Sequence, residues 1–292
     1  MISAANSDDQ DKTGEALKAQ RFQMLEDIAK ELSGDVIFPT FFDALLRLRK
    51  ALQDSTLSIG AISAAVAMEP LISAKLLHLA NSAAFNPSGR EVVDLKSAIA
   101  RLGINAVRSA AMAIVMNQLM RARGMADFAE VTHALWDHSI KSAAAARIIA
   151  KNMTRLNADE AMLAGLIHDL GAFYMLYRAT QYEELRHRPD SVKYLIIQWH
   201  ESIGVSLLNA LGIPEEIVEA TADHDRIRTT PSPIRNLSDV IYVANMLAGG
   251  HFEWLMQDQP DHPEDLNILN EKYGQLQPEI DALVLEMKAS FS

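Results

Sequence analysis

Four histidines and one aspartate in the second half of the chain have the side chains best suited to chemistry. The run AGLIHDLGAF places His168 and Asp169 side by side at the end of an apolar stretch. Around His138, His168, His200 and His224, residues at helical spacing are mostly small or apolar, which predicts that the rings face inward. Neutral imidazole is a common metal ligand, and a neighbouring carboxylate can bridge two ions. The pattern predicts a site for a divalent transition metal such as Fe, Mn, Ni or Zn.

A second interpretation applies to each histidine taken singly. A buried imidazole can be an ordinary core residue that hydrogen-bonds to a backbone carbonyl. Burying several imidazoles costs free energy unless each finds a partner. A shared metal or a shared hydrogen-bond network would provide those partners together. Spacing alone does not establish that the side chains converge, so both interpretations stay open.

Composition excludes several classes of protein. The chain has 292 residues, of which 49% are hydrophobic and 22% are charged, as is typical of a globular protein. It contains no cysteine, which excludes disulfides and thiolate ligands and agrees with a reducing cytoplasm, where we expect the protein. The net charge of −11 argues against nucleic acid as a partner. Charges interrupt every apolar run before membrane-spanning length, and the polar N-terminus lacks a signal-peptide core, so no membrane role is expected.

Helical patterns run through nearly the whole sequence and predict an all-α fold. DLKSAIARLG has apolar residues at helical spacing, with Asp94 placed to cap its start and Gly103 to end it. The next segment predicts a helix from Asn105 as cap to Gly124. Asn157 opens a further helix with the arrangement of a capping box.

The chain divides at a weak seam near residues 122–130, where one helix ends before the histidine-bearing half begins. We predict four parts: a polar tail and first helix (1–32), an N-terminal helical half (33–128), a histidine-bearing helical half (129–250) and a C-terminal helical extension (251–292).

Residues 58–81 predict two short helices joined at Glu69-Pro70, which superficially resemble a helix-turn-helix. A recognition helix needs polar side chains that face base edges. The second helix offers only Lys75 and His78, beside several leucines. A helical hairpin buried in the core is therefore favoured over DNA binding.

Specific motifs in both halves resemble one family. The first half contains FPTFFDALLRLRKAL, MEPLISAKLLHLANSAAF and LKSAIARLGINAVRSAAMAI; the second contains the Trp136-Asp137-His138 run, AGLIHDLG, WHESIGVSLLNALGIP and ADHD. Over about residues 33–250 these motifs resemble the HDOD domain, the HD-related output domain of bacterial signalling proteins. Glu69-Pro70 stands where that family usually has Asp-Pro. The resemblance implies an HDOD-type domain made of an N-terminal helical subdomain and an HD-like helical subdomain.

The resemblance extends to the catalytic HD phosphohydrolases, whose metal ligands are a His, a His-Asp pair and a late Asp. It implies that His138 takes the first position and His168-Asp169 the pair. His200 and His224 resemble the additional histidines of the two-metal HD-GYP type. The late position is Asn245 here, and a neutral amide is a poorer ligand than a carboxylate for a hard cation. Two further departures are Ala172 in place of a frequent lysine and TTPSPIRN in place of the Gly-Tyr-Pro signature.

These observations favour a non-catalytic or weakly catalytic signalling domain that acts through a protein partner or a ligand and keeps a degenerate HD metal site. The alternative is a metal-dependent phosphohydrolase acting on a nucleotide or other phosphoester. In that alternative Asp169 would be the catalytic residue, bridging or orienting the metal, and His200 or His224 could act as ligand or acid. The residues leave the input signal, the partner and the oligomeric state open.

Overall fold

The computed structural model describes residues 15–33, 42–54, 56–250 and 269–291, and every regular element in these ranges is helical. The predicted all-α fold is confirmed. The predicted tail up to residue 14 and residues 251–268 of the predicted C-terminal extension lie outside the described residues.

The first half supplies six helices to the described structure. Ser58 caps the third helix by accepting a hydrogen bond from the backbone N–H of Ala61, and Pro70 starts the fourth at its first turn. The predicted pair of short helices is therefore present. The six are α1 (Glu15–Ser33), α2 (Asp43–Gln53), α3 (Ile59–Ala67), α4 (Pro70–Asn81), α5 (Leu95–Leu102) and α6 (Ile104–Met120).

The packing of α4 bears on the DNA-binding interpretation. Ile72, Leu76 and Leu79 of this helix are buried. Lys75 Nζ donates to the backbone carbonyl of Ser290 at 3.0 Å, and the His78 ring lies 2.9 Å from the Ser290 hydroxyl. The two side chains that were candidates for contacting bases are thus engaged within the protein, which supports the buried hairpin.

Helices α5 and α6 meet at a bend of 105°. Asp94 caps α5 as predicted, accepting from the Ser97 N–H at 2.9 Å, and Gly103 ends it with φ of +81°. The predicted limits of α6 were wrong: because the bend at Gly103 already ends α5, α6 starts at Ile104 and ends at Met120, so Asn105 lies inside it. No single helix of the described chain has the length and apolarity of a membrane span, although α5 and α6 together reach it.

The second half surrounds one long helix. A 3-10 turn at Met125–Phe128 leads into this helix, against which several of the later helices pack. The elements are α7 (Ala129–Met153), α8 (Ala158–Ile167), α9 (Leu170–Ala179), α10 (Glu183–Arg186), α11 (Pro189–Ala210), α12 (Glu215–Thr221), α13 (Leu237–Ala248), a 3-10 turn at Gly274–Leu276 and α14 (Gln277–Phe291).

Two glycines allow the helices of this half to approach closely. A Cβ on Gly165 of α8 would lie 2.7 Å from the carbonyl oxygen of Ser142 in α7. A Cβ on Gly171 of α9 would lie 2.0 Å from the carbonyl oxygen of His200 in α11. The predicted Asn157 cap of α8 is present, accepting from the backbone N–H groups of Asp159 and Glu160. The buried apolar residues of both halves form one continuous core, and the domain boundary at 128/129 stays a prediction.

Candidate metal centre

The five residues singled out from the sequence lie on separate elements that meet in the core. His138 projects from the middle of α7, and His200 from the middle of α11. His168 ends α8 and Asp169 begins α9, while His224 follows α12. Each of the five is at most 2% exposed.

Asp169 lies between two sets of histidines. Its Oδ2 is 3.3 Å from His168 Nε2 and 3.7 Å from His138 Nε2. Its Oδ1 is 3.1 Å from His224 Nε2 and 3.4 Å from His200 Nε2. Side chains that are up to 86 residues apart in sequence therefore converge on a single carboxylate, one set at each oxygen.

Asp225 joins the cluster although it was not predicted as a site residue. Its Oδ2 lies 3.3 Å from His200 Nε2 and 3.7 Å from His224 Nε2. The available signal was the repetition of a His-Asp pair, since His224-Asp225 matches His168-Asp169 in type. We call His138, His168 and Asp169 the first group, and Asp169, His200, His224 and Asp225 the second group; within each, one ligand atom per residue lies within 4.8 Å of the others.

Asn245, expected at the position of a late aspartate ligand, contacts Asp225. Its amide Nδ2 donates to Asp225 Oδ1 at 2.8 Å and lies 3.4 Å from the backbone carbonyl of His224. Asn245 is buried on α13, where Asn236 caps the start of the helix. The amide thus touches the carboxylate oxygen opposite to the one that faces the histidines.

Backbone carbonyls orient three of the rings. Nδ1 of His168, His200 and His224 lies 2.7 to 2.8 Å from the carbonyl oxygens of Gly165, Ile196 and Thr221. A carbonyl only accepts, so each Nδ1 carries a proton, and whenever the ring is neutral the lone pair of its Nε2 points into the cluster. This arrangement, in which a second contact fixes the tautomer, is the usual one for metal-binding histidines. These contacts are also the ones expected of ordinary core histidines, since each of the three rings bonds a backbone carbonyl.

The charges of the cluster depend strongly on one another. Burial lowers the pKa of His168. Burial alone would also lower the pKa of His224, but Asp225 and Asp169 outweigh it and raise that pKa to about 10. Burial would raise the pKa of Asp169, yet the charges and hydrogen bonds of His168 and His224 hold it well below its ordinary value. Protons on the histidines thus balance the negative charge of the aspartates in this cluster, and a bound cation would displace those protons.

The donor set fits a divalent transition metal. It combines imidazole nitrogens with carboxylate oxygens and no thiolate, a mixture suited to Fe, Mn, Ni or Zn. Four of its members are histidines whose Nε2 atoms all face one of the two aspartates. The residues present therefore fit one ion in each group, with Asp169 common to both.

An all-helical fold with a buried His/Asp cluster of this kind defines a protein of the HD-related class. Residues 38–227 match the HDOD domain, and the chain belongs to the HDOD domain family.

Solved structures share this fold. A proposed metal-dependent phosphohydrolase from Shewanella amazonensis SB2B is 23% identical, with a TM-score of 0.71 over 94% of this chain and 100% of that chain. A proposed signal transduction protein from Marinobacter aquaeolei VT8 is 17% identical, with a TM-score of 0.53 over 94% of this chain and 66% of that one. An uncharacterized protein of Treponema pallidum (strain Nichols) is 22% identical over an alignment 222 positions long; the alignment covers 71% of this chain, and the chain spans 41% of that protein's length.

Proposed function

We propose that this protein is a cytoplasmic regulatory domain of bacterial signal transduction, which binds divalent transition metal at the His/Asp cluster and acts through a protein partner. The observation that carries this proposal is the deep burial of the cluster. The five predicted ligands are at most 2% exposed, and the side chain of Asp225 is 6% exposed.

A buried cluster can bind an ion and still be unable to catalyse hydrolysis. Metal-dependent hydrolysis needs a coordination position open to water and a path by which a phosphoester reaches the ion. A closed cluster of imidazoles and carboxylates can hold ions without either. The departures at Ala172 and TTPSPIRN agree with a domain that does not hydrolyse phosphoesters.

Metal in the cluster would act on the arrangement of helices. Its ligands come from α7, the α8–α9 junction, α11 and the segment after α12. Because binding to the folded state stabilises that state, an ion shared by these elements would fix their relative positions. A signalling partner that contacts the outer faces of these helices would then sense the metal-bound form.

A metal-dependent phosphohydrolase is the second candidate, favoured by the position of Asp169 between the two groups. When bound, a pair of metal ions would supply a nucleophilic water at neutral pH. In that role Asp169 would hold both ions through its two oxygens, and His200 or His224 would serve as ligand or as acid for the leaving group.

Metal analysis tests the metal binding that both candidates require. The protein would be purified without a His-tag or chelator, and its metal content measured by elemental mass spectrometry for the wild type and for Asp169→Ala. His133→Ala is the matched control, since His133 lies on α7 with His138 but is exposed. We expect bound metal in the wild type and the control and none in Asp169→Ala.

An activity measurement completes the test. The metal-loaded protein would be assayed with bis(p-nitrophenyl) phosphate, a general phosphodiester. Metal without turnover is the expected result. Turnover that Asp169→Ala abolishes would replace the regulatory proposal by the phosphohydrolase, and a wild type without metal even after soaking would contradict metal binding.

A further inference from the structure

Asn245, which stands where HD enzymes have their late aspartate ligand, contacts a second aspartate of the cluster, Asp225. Both side chains lie in the core, Asn245 being 1% exposed. Asn245 Nδ2 donates to Asp225 Oδ1 at 2.8 Å, a good hydrogen-bond distance for an amide and a carboxylate.

Two contacts hold Asp225 so that its Oδ2 faces the histidine rings. Its backbone N–H donates to Glu201 Oε1 at 3.0 Å, and Asn245 holds Oδ1. Oδ2 is consequently directed at the second group, 3.3 Å from His200 Nε2. A ligand carboxylate whose other oxygen is hydrogen-bonded is the usual arrangement around protein-bound metals.

We propose that Asp225 supplies a ligand carboxylate to the second group, and that Asn245 is the positioning residue that holds Asp225 toward the metal. This inference rests on the proposed metal binding. Asn245 is then required for the site and is not the remnant of a lost ligand.

The chemistry of the pair explains why residue 245 is an amide. Only Asn245 contributes N–H donors to this contact, because an ionised aspartate accepts and does not donate. An aspartate at 245 would remove the donor and place a second negative charge at hydrogen-bond distance from Asp225 within the core. The pair Asp225 and Asn245 is thus matched, whereas two aspartates would repel.

The two interpretations of Asn245 predict opposite effects of Asn245→Asp. If Asn245 is a weakened ligand, restoring the carboxylate strengthens metal binding. If Asn245 positions Asp225, the same change weakens binding, by roughly 10- to 100-fold as for other residues that orient metal ligands.

The experiment measures Zn²⁺ and Mn²⁺ dissociation constants by chelator competition for the full chain. The variants are Asn245→Asp, Asp225→Asn and the exchanged double variant Asp225→Asn/Asn245→Asp. Asn236→Asp is the matched control, because it adds the same charge at the exposed cap of α13 and an aspartate also caps a helix. We expect weaker binding in both single variants, no recovery in the exchanged variant and unchanged binding in the control.

Several results would overturn the inference. Tighter or equal binding in Asn245→Asp, or full recovery in the exchanged variant, would make residue 245 the ligand position. A wild type that binds neither ion would instead remove the proposed metal site itself, so the two failures are distinguishable. If Asn245→Asp does not fold, Asn245→Ala removes the donor without adding charge, and unchanged affinity there would equally refute positioning. The melting temperature of each metal-free variant separates a loss of stability from a loss of affinity.

Discussion

Gly171 and His200 are in such close contact that a Cβ on Gly171 would lie 2.0 Å from the carbonyl oxygen of His200. Gly171 is two residues after Asp169, and His200 belongs to the second group. The glycine therefore sets the distance between α9, which begins at Asp169, and α11, which carries His200. The geometry of the cluster depends on the absence of a side chain at this position.

Gly171→Ala is expected to separate the two helices. No side chain can absorb the overlap, because the contacting atom belongs to the backbone, and a strained core of this kind costs about 1–3 kcal/mol. Metal affinity should fall as well, since Asp169 and His200 move apart. Chemical denaturation and chelator competition measure the two effects.

Gly204 of α11, which faces Gly171 of α9, provides a control. A Cβ on Gly204 would lie 3.5 Å from the backbone nitrogen of Gly171, an ordinary contact distance. Gly204→Ala also removes a glycine from the interior of α11, which favours the helix by up to about 1 kcal/mol. An equal loss of stability in the two variants would contradict a specific role for Gly171.

Asp169→Asn is expected to remove metal from both groups, because each group depends on one oxygen of Asp169. His138→Gln should remove metal only from the first group, since His138 does not belong to the second. Elemental mass spectrometry of both variants gives the stoichiometry. If Asp169→Asn kept as much metal as His138→Gln, the shared position of Asp169 would have no role in binding.

Much of the fold and part of the site could be predicted from local sequence. The caps at Asp94 and Asn157 and the inward faces of His138 and His200 depend on residues within one or two helical turns, where spacing determines direction. The start of α6 was misplaced because Asn105 has the side chain of a good cap. The turn at Gly103, with its positive φ, had already ended the preceding helix.

Local sequence could not predict that the cluster residues converge, or that Asp225 is one of them. They depend on how α9 and α11 pack and on the turn after α12, where Asp223 takes a φ of +56°. Helical periodicity gives no direction for side chains beyond such a turn. The contact of Asn245 with Asp225 likewise joins residues 20 positions apart across two elements.

Removal of metal is expected to lower thermal stability. An ion bound only by the folded state stabilises it by about 2.7 kcal/mol when free metal is 100 times the dissociation constant. For a chain of this size the midpoint should rise by roughly 5 °C. Differential scanning calorimetry with and without chelator tests this in the wild type, and Asp169→Ala should show no difference. A chelator effect of equal size in that variant would assign the stabilisation to another site.

The docking of α1 on the second half offers a prediction about pH that does not involve the metal centre. Tyr182, which precedes α10, donates its hydroxyl to Asp27 Oδ2 in α1 at 2.6 Å. This hydrogen bond is the main cause that lowers the pKa of Asp27 below its ordinary value of 3.8. A carboxylate whose pKa is lower in the folded state stabilises the fold above its unfolded pKa, and this contribution is lost as the pH falls through the folded pKa.

Tyr182→Phe should therefore destabilise the metal-free protein at pH 6 by at most about 1 kcal/mol, the usual range for a partly exposed hydrogen bond. The difference from the wild type should shrink as the pH falls below about 4, where Asp27 is increasingly protonated in the variant and then in the wild type. Urea denaturation at a series of pH values measures it. Tyr194→Phe is the control, since Tyr194 bonds only an exposed glutamine, Gln198, among the described hydrogen bonds. A difference that stayed constant down to pH 2.5 would show that Tyr182 stabilises α1 by packing and not through the charge of Asp27.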